Sequence, residues 1–351
     1  MSPVKQNIIV NWLIPMIPTN AKRVQILKQK FSNSLGLPLR DILPEATIAE
    51  ALVAEGIKYR KRLFDPFITL WVFLSQVLDP DKSCHNAVSR VIAWFASVKA
   101  EIPSEDSSAY CQARKRLPEN LLHRLFSTVA QNLETRANPE HLWCGRHVKV
   151  IDGSTVSMPD TKNNQKAYPQ PSSQLPGCGF PIAKIGVLFS LVTGAAVAIV
   201  IDTLNVHDVK LARKVYEFLA PGDVLVGDRA FCSYADFVFI QNRGADVVFR
   251  KHQGRENTER RRAKRVGPGD KLVLWNKPKS CPKGLSKEEF TALPKELILR
   301  DLHYYIAIPG FRTKDVRLIT TLLDAVEFPL GKIADLYGLR MRAQVAHHRG
   351  M

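Results

Sequence analysis

The sequence predicts an α/β protein in two parts, a helical N-terminal region followed by a mixed sheet with helices on its faces. Up to about residue 135, helix-start signals and apolar residues at helical spacing recur without strand-like alternation. From residue 147 the pattern changes to β-β-β-α-β-α-β, and three consecutive strands followed by alternating helices and strands suit a mixed sheet. The chain has 351 residues, 45% of them hydrophobic, which is enough for two cores and excludes global disorder.

The elements follow in order. Thr47 and Glu50 stand at capping-box spacing beside Ile48, Leu52 and Ile57. Asp65 and Pro66 are an N-cap and a first-turn proline for FITLWVFLSQVL (67–78), a run too short and too polar to span a bilayer. Ser83 precedes Ala87, Val88, Val91, Ile92 and Phe95 on one helical stripe. Arg114, Lys115 and Arg116 come just before a proline that opens another helix; a solvated face and a DNA contact explain this cluster equally well.

HVKVIDGS then alternates like a strand and ends in Asp152. After a Pro/Ser/Gly-rich loop (170–181), KIGVLFSLVTG and AVAIVIDTL form a hairpin across the VTGA turn. VKLARKVYEFL has helical spacing, DVLVGD is a short buried strand leading into Asp228, YADFVFIQNRG is a helix closed by Gly244, and DVVFRK is another strand. RKHQGRENTERRRAKR (250–265) carries eight Lys/Arg against two Glu and cannot pack a core by itself. The strand-like KLVLW, LHYYIAIP and VRLITTLL follow, and GKIADLYGLRM reads as a helix.

Fifty Lys plus Arg against 33 Asp plus Glu leave a net charge of +17, which favours a polyanionic partner, nucleic acid ahead of an anionic membrane. The six cysteines are scattered without C-x-x-C or zinc spacing, as suits a reduced, cytosolic chain. The N-terminal stretch lacks the early positive charge and small-residue cleavage site of a signal peptide.

Two residues point to chemistry. Asp152 and Asp228 each sit where a strand ends, 76 residues apart. Either alone is more simply a turn or cap residue. As a pair on this strand order, in a strongly basic chain, they suggest converging carboxylates, hard oxygen ligands for Mg²⁺ in a two-metal site that would serve phosphoryl transfer.

From VIDGSTVSMPDTKNNQKAY through GDRAFCSYADF to LITTLLDAVEFPLGKIADLYGLR, the chain resembles the DDE transposases of bacterial insertion sequences, in particular the IS-four group. The resemblance implies a ribonuclease-H-like domain over 145–351, a helical DNA-binding domain over 1–140, and a basic β-rich insertion at about 252–315. It implies that Asp152 and Asp228 are the first two metal-binding acids, and that Tyr337 and Arg340 touch DNA near the cleaved end. Arg229, Arg114, Lys115, Arg260, Arg261 and Arg262 are further candidate DNA contacts. The implied partner is double-stranded DNA, transposon ends and target, bound by a homodimer in the bacterial cytoplasm at the nucleoid.

The family signature on the last helix, Y-x-x-R-x-x-x-E-x-x-x-x-x-x-K, puts Gln344 at the position of the third acid and Met351 at that of the lysine. A glutamine offers a neutral carbonyl in place of a carboxylate, so weak metal occupancy and little or no strand cleavage are expected. The abrupt loss of similarity after Arg340 reads as a frameshift or truncation, and a non-catalytic DNA-binding remnant or inhibitor of an intact transposase is the alternative. Asp324, Glu327 and Asp335 are nearby acids better explained as capping or flanking the helix. A ribonuclease acting on RNA would need a complete acid set and leaves Tyr337 with Arg340 unexplained.

Overall fold

A computed structural model describes residues 38–40, 43–175, 177–251, 263–282, 284–306 and 315–348, the last seven of them in their backbone alone. These residues fall into two compact units that divide near residue 132. No helix among them is long and apolar enough to cross a membrane.

The first unit is helical: α1 (Glu45–Ala54), α2 (Pro66–Leu78), α3 (Cys84–Ser97), α4 (Ser108–Arg116) and most of α5 (Glu119–Thr135). Asp65 caps α2 by accepting from the Ile68 N–H at 2.9 Å, with Pro66 at the first helical position, and Ser83 caps α3 through Asn86 at 3.1 Å. The expected capping box at Thr47 does not form. Pro44 precedes α1 with φ of −61°, and its carbonyl accepts from the Thr47 and Ile48 N–H groups, so the helix has begun before Thr47 can cap it. The helices enclose Ile48, Leu70, Trp71, Val72, Val91, Tyr110 and Leu121. Inside this core Gln76 accepts from the Tyr110 hydroxyl at 2.7 Å and from Arg114 at 2.9 Å. Burial pushes the Tyr110 phenol up to about 12.

The second unit is built on one nine-stranded mixed sheet. Its strands are β1 (Val148–Ser157), β2 (Ile182–Ser190), β3 (Ala196–Thr203), β4 (Val224–Gly227), β5 (Asp246–Arg250), β6 (Lys264–Gly267), β7 (Asp270–Asn276), β8 (Glu296–Tyr305) and β9 (Asp315–Thr320). The spatial order is β3-β2-β1-β4-β5-β9-β8-β7-β6, with β1, β4 and β5 parallel and the other neighbours antiparallel. This is the ribonuclease-H-like mixed sheet with flanking helices, and β8, β7 and β6 continue the sheet from β9 outward. The helices are α6 (Lys162–Ala167), α7 (Asp208–Tyr216), α8 (Tyr234–Gln241), α9 (Lys287–Ala292) and α10 (Leu330–His348).

Alternation sorts the strands between two cores. Ile151, Leu225, Val247 and Phe249 pack with Val215 and Tyr216 of α7 and Phe237 and Ile240 of α8. Val148, Val150, Val224, Val226 and Val248 pack with Ile333, Ala334, Leu336 and Tyr337 of α10. All four residues of β4 are therefore buried, which explains why DVLVGD reads as an unbroken apolar run.

Arg300 of β8 fixes how α10 enters this arrangement. The side chain is fully buried. Its guanidinium forms a two-pronged ion pair with Asp270 of β7, one arm at 2.8 Å, and its Nη1 donates to the carbonyls of Leu322 and Asp324, each at 3.3 Å, and of Phe328 at 2.7 Å. Those three carbonyls belong to the segment between β9 and α10. Asp324 also closes a turn there by accepting from the Val326 and Glu327 N–H groups at 2.7 and 3.0 Å. Phe328 stacks on Trp143 with centroids 5.6 Å apart.

Arg300→Ala should destabilise the protein by about 3–5 kcal/mol, because it strands the buried Asp270 carboxylate and three carbonyls. Urea unfolding followed by tryptophan fluorescence measures this; a loss below about 1 kcal/mol, the scale of an exposed pair, would show that water replaces the guanidinium.

Candidate active site

The parallel pairing of β1 with β4 matches Val148 with Val224 and Val150 with Val226. That offset, carried two residues past the last matched pair, sets Asp152 opposite Asp228. Adjacent strands lie about 4.8 Å apart and residues in parallel register point to the same face, so the two carboxylates start from neighbouring backbone positions. β1 stays paired with β2 through Ser157, with Asp152 opposite Val187, whereas β4 ends at Gly227. The strands part where the aspartates stand, and both line one cleft of about 360 Å³. Both are half-buried.

Local structure holds each acid. Asp152 Oδ1 accepts from the Gly153 N–H at 3.0 Å, and Asp228 Oδ1 accepts from the Ala230 N–H at 2.7 Å, which fixes the turn leaving β4. Gly227 is required for this approach: a Cβ there would lie 2.8 Å from Phe249 Cε1 and 3.2 Å from Ile151 Cγ2.

Val148, Val150 and Asp152 alternate onto the side of the sheet where α10 packs, and α10 brings Tyr337 and Arg340 to that side. Burial pushes the Tyr337 phenol up; the Arg340 and Arg250 cations oppose this and the nearby Asp228 carboxylate adds to it. Arg340 is 2% exposed. Its Nη1 donates to the Tyr337 hydroxyl at 3.4 Å and its guanidinium lies 5.6 Å from that ring's centroid. Its Nε and Nη2 have no hydrogen-bond partner among the described residues. Buried donors left in that state are costly, so they mark a place where an acceptor would be gained.

The remaining predicted residues are more scattered. Gln344 lies on α10 one turn beyond Arg340, and its side chain is outside the described atoms. Arg260, Arg261 and Arg262 lie outside the described residues. Arg229 is exposed beside Asp228. In the helical unit Lys115 is exposed, whereas Arg114 is spent on Gln76 and on the Tyr110 ring. Glu327 is exposed and Asp324 is engaged in its turn. Among the described residues no three His, Cys, Asp or Glu side chains gather as a metal-holding group.

Sequence reading does not single out two charged residues that also line the cleft, Lys184 of β2 and Asp208 at the start of α7. Lys184 donates to the Val206 carbonyl at 2.8 Å and pairs with Asp208 at 2.9 Å. The available signal was a lone lysine inside an otherwise apolar strand, IAKIGVLFS.

Comparison with known proteins gives the chain a family. Residues 143–343, more than half of the chain, match the family described as Transposase DDE domain. The chain is also 25% identical over 313 residues, 88% of its own length and 67% of the relative's, to the Transposase InsG for insertion sequence element IS4 of Escherichia coli (strain K12).

Gly227→Ala should cost about 1–3 kcal/mol by overpacking against Phe249 and Ile151. Chemical denaturation checks this, and a neutral result would mean that β4 can shift without strain.

Proposed function

We propose, from the premise that the chain belongs to the transposase DDE-domain family, that it binds the DNA ends of an insertion sequence and holds a divalent metal, Mg²⁺ first, between Asp152 and Asp228. The observation that carries this reading is the in-register pair of aspartates lining one cleft where β1 and β4 part. Two carboxylates rooted on adjacent strands fit the hard-oxygen ligation that Mg²⁺ prefers. Bound there, the metal would supply Lewis acidity and an activated water for phosphodiester chemistry.

The chain's own residues supply binding and orientation. The partnerless donors of Arg340 suit a phosphate oxygen, and the Tyr337 hydroxyl and ring hold the guanidinium in place. Arg229 and Lys115 are exposed cations, each in its own unit, and Arg260, Arg261 and Arg262 are further cations by sequence alone. Arg114 contributes less, because its contacts are internal. Family membership carries the further reading of a cytoplasmic, nucleoid-associated protein that acts as a homodimer on paired DNA ends.

Gln344 sets the limit of the activity. At the signature position of the third acid it offers a carbonyl with no charge, so the metals lose one anionic ligand. Loss of an outer-shell partner alone costs roughly 10–100-fold in metal affinity or activity, and loss of a ligand charge costs more. Binding without efficient cleavage is the expected behaviour, and it favours the alternative of a DNA-binding remnant or inhibitor of an intact relative.

The purified chain should bind duplex DNA with an affinity that falls as salt rises, and replacing Arg260, Arg261 and Arg262 should flatten that dependence. Mn²⁺ binding, read by electron paramagnetic resonance, should be weak and should vanish in Asp152→Asn with Asp228→Asn, while DNA binding persists. Nicking of a supercoiled plasmid in Mg²⁺ or Mn²⁺ should be absent or very slow and should rise with Gln344→Glu. Robust nicking by the unmodified chain would overturn the role given to Gln344; unchanged Mn²⁺ binding in the double variant would overturn the metal site.

A further inference from the structure

Past Asp152, β1 keeps a neighbour on one edge only. Its pairing with β4 ends at Val150 and Val226, and β4 itself stops at Gly227, whereas its pairing with β2 continues to Ser157. Every residue of β1 from Gly153 to Ser157 is exposed.

Alternation decides which backbone groups face the open edge. The Leu191 N–H donates to the Val148 carbonyl at 2.9 Å and the Met158 N–H to the Pro181 carbonyl at 2.9 Å, so the even-numbered residues of β1 turn their backbone groups toward β2. The odd-numbered residues turn theirs the other way, and His147 accordingly accepts from the Val224 N–H at 2.9 Å. Gly153, Thr155 and Ser157 therefore point their amides outward in the plane of the sheet. The Gly153 N–H goes to Asp152 Oδ1 at 3.0 Å, and those of Thr155 and Ser157 meet no acceptor among the described residues.

The open edge also accounts for the shape of the cleft. Asp152 and Ser154 stand on the side of the sheet where α10 packs, Gly153 and Thr155 on the other, and all four line the cleft because it wraps round the strand where β4 has left. Nothing described inside the chain requires a glycine at 153: a Cβ there would meet only the Ile185 carbonyl, at 3.8 Å, an ordinary contact. A strand glycine without an internal reason suits a close approach by another molecule. The exposed run GSTVS carries no charge that would repel a phosphate.

We infer that this free edge is a strand-binding element: the Thr155 and Ser157 amides donate to successive phosphates of the DNA strand that passes Asp152. This rests on the DNA-binding reading above. Two residues of a strand span about 6.6 Å, close to the separation of neighbouring phosphates on one nucleic-acid strand. Backbone amides bind phosphate without reading sequence and fix the register of what they hold. The outward carbonyls stay in water, as their exposure allows, and the net charge of +17 favours a polyanion over an added peptide strand.

Amide hydrogen exchange at single-residue resolution tests this on the unmodified chain, with and without a mixed-sequence duplex carrying a single-stranded tail. Thr155 and Ser157 should exchange freely in the protein alone and slow by about tenfold or more with DNA, whereas Met158, already bonded to Pro181, should change little. Thr155→Pro removes an outward N–H that the β1–β2 ladder does not use. It should weaken binding about tenfold, with the slope of log affinity against log salt unchanged because no cation is lost. Thr155→Val keeps the N–H and should bind as the unmodified chain does.

If the unmodified chain binds no DNA, the DNA-binding reading falls and this inference with it. If it binds and the two amides exchange as fast as before, only the inference about the edge falls. Unchanged affinity in folded Thr155→Pro has the same meaning. Exchange that is slow in the protein alone, and slower at higher protein concentration, would mean that a second copy adds a strand there, which also overturns the inference. Should Thr155→Pro fail to fold, the exchange measurement decides.

Discussion

The Arg300–Asp270 ion pair is the interaction on which the candidate site most depends. Fully buried, it would be a poor investment as an isolated pair, because two desolvated charges recover little more than their desolvation cost. Its return comes from the third prong: Nη1 gathers the carbonyls of Leu322, Asp324 and Phe328, which would otherwise be orphaned just before α10. The strands β7 and β8 are thereby tied to the turn that aims α10 across the sheet. Tyr337 and Arg340 reach the side of the sheet near Asp228 because that turn is fixed.

The other constraint is register. A shift of one residue between β1 and β4 would move Asp152 or Asp228 to the opposite face, exchanging a carboxylate for a buried aliphatic side chain. Register is protected because both faces of β4 are buried, so any slip would expose valines on one side and bury an acid on the other. Gly227 completes the arrangement at its tightest point. The pair of acids is a by-product of packing that would hold without them, which is how two neighbouring carboxylates can be built on a stable sheet.

Much of this was legible in the sequence. Period-two alternation in HVKVIDGS and the unbroken apolar DVLVGD announced strands buried on one or both faces, and Asp65-Pro66 and Ser83 announced helix starts. These signals are local, and local physics decides them. Thr47 misled because Pro44 had already fixed the backbone ahead of it. Long-range pairing left no local trace: nothing in VRLITTLL says that it lies between β5 and β8, and so nothing said that β6, β7 and β8 would extend the central sheet. Lys184 escaped notice for a related reason, since a lone lysine in a strand gains meaning only from the Val206 carbonyl and Asp208 that a distant loop brings to it.

The seating of β9 between β5 and β8 has a consequence for assembly. About sixty residues separate β5 from β9 in the chain, so their pairing closes a large loop and comes late in folding. Until it does, β5 presents an open edge, and the valine-lined face awaiting α10 is exposed to water. During synthesis from the N-terminus, the two aspartates can be neighbours well before the helix that completes their surroundings has left the ribosome. The half-assembled sheet is thus a nascent-chain hazard, sticky along one edge and one face, and its protection rests on how quickly the last strand and helix arrive.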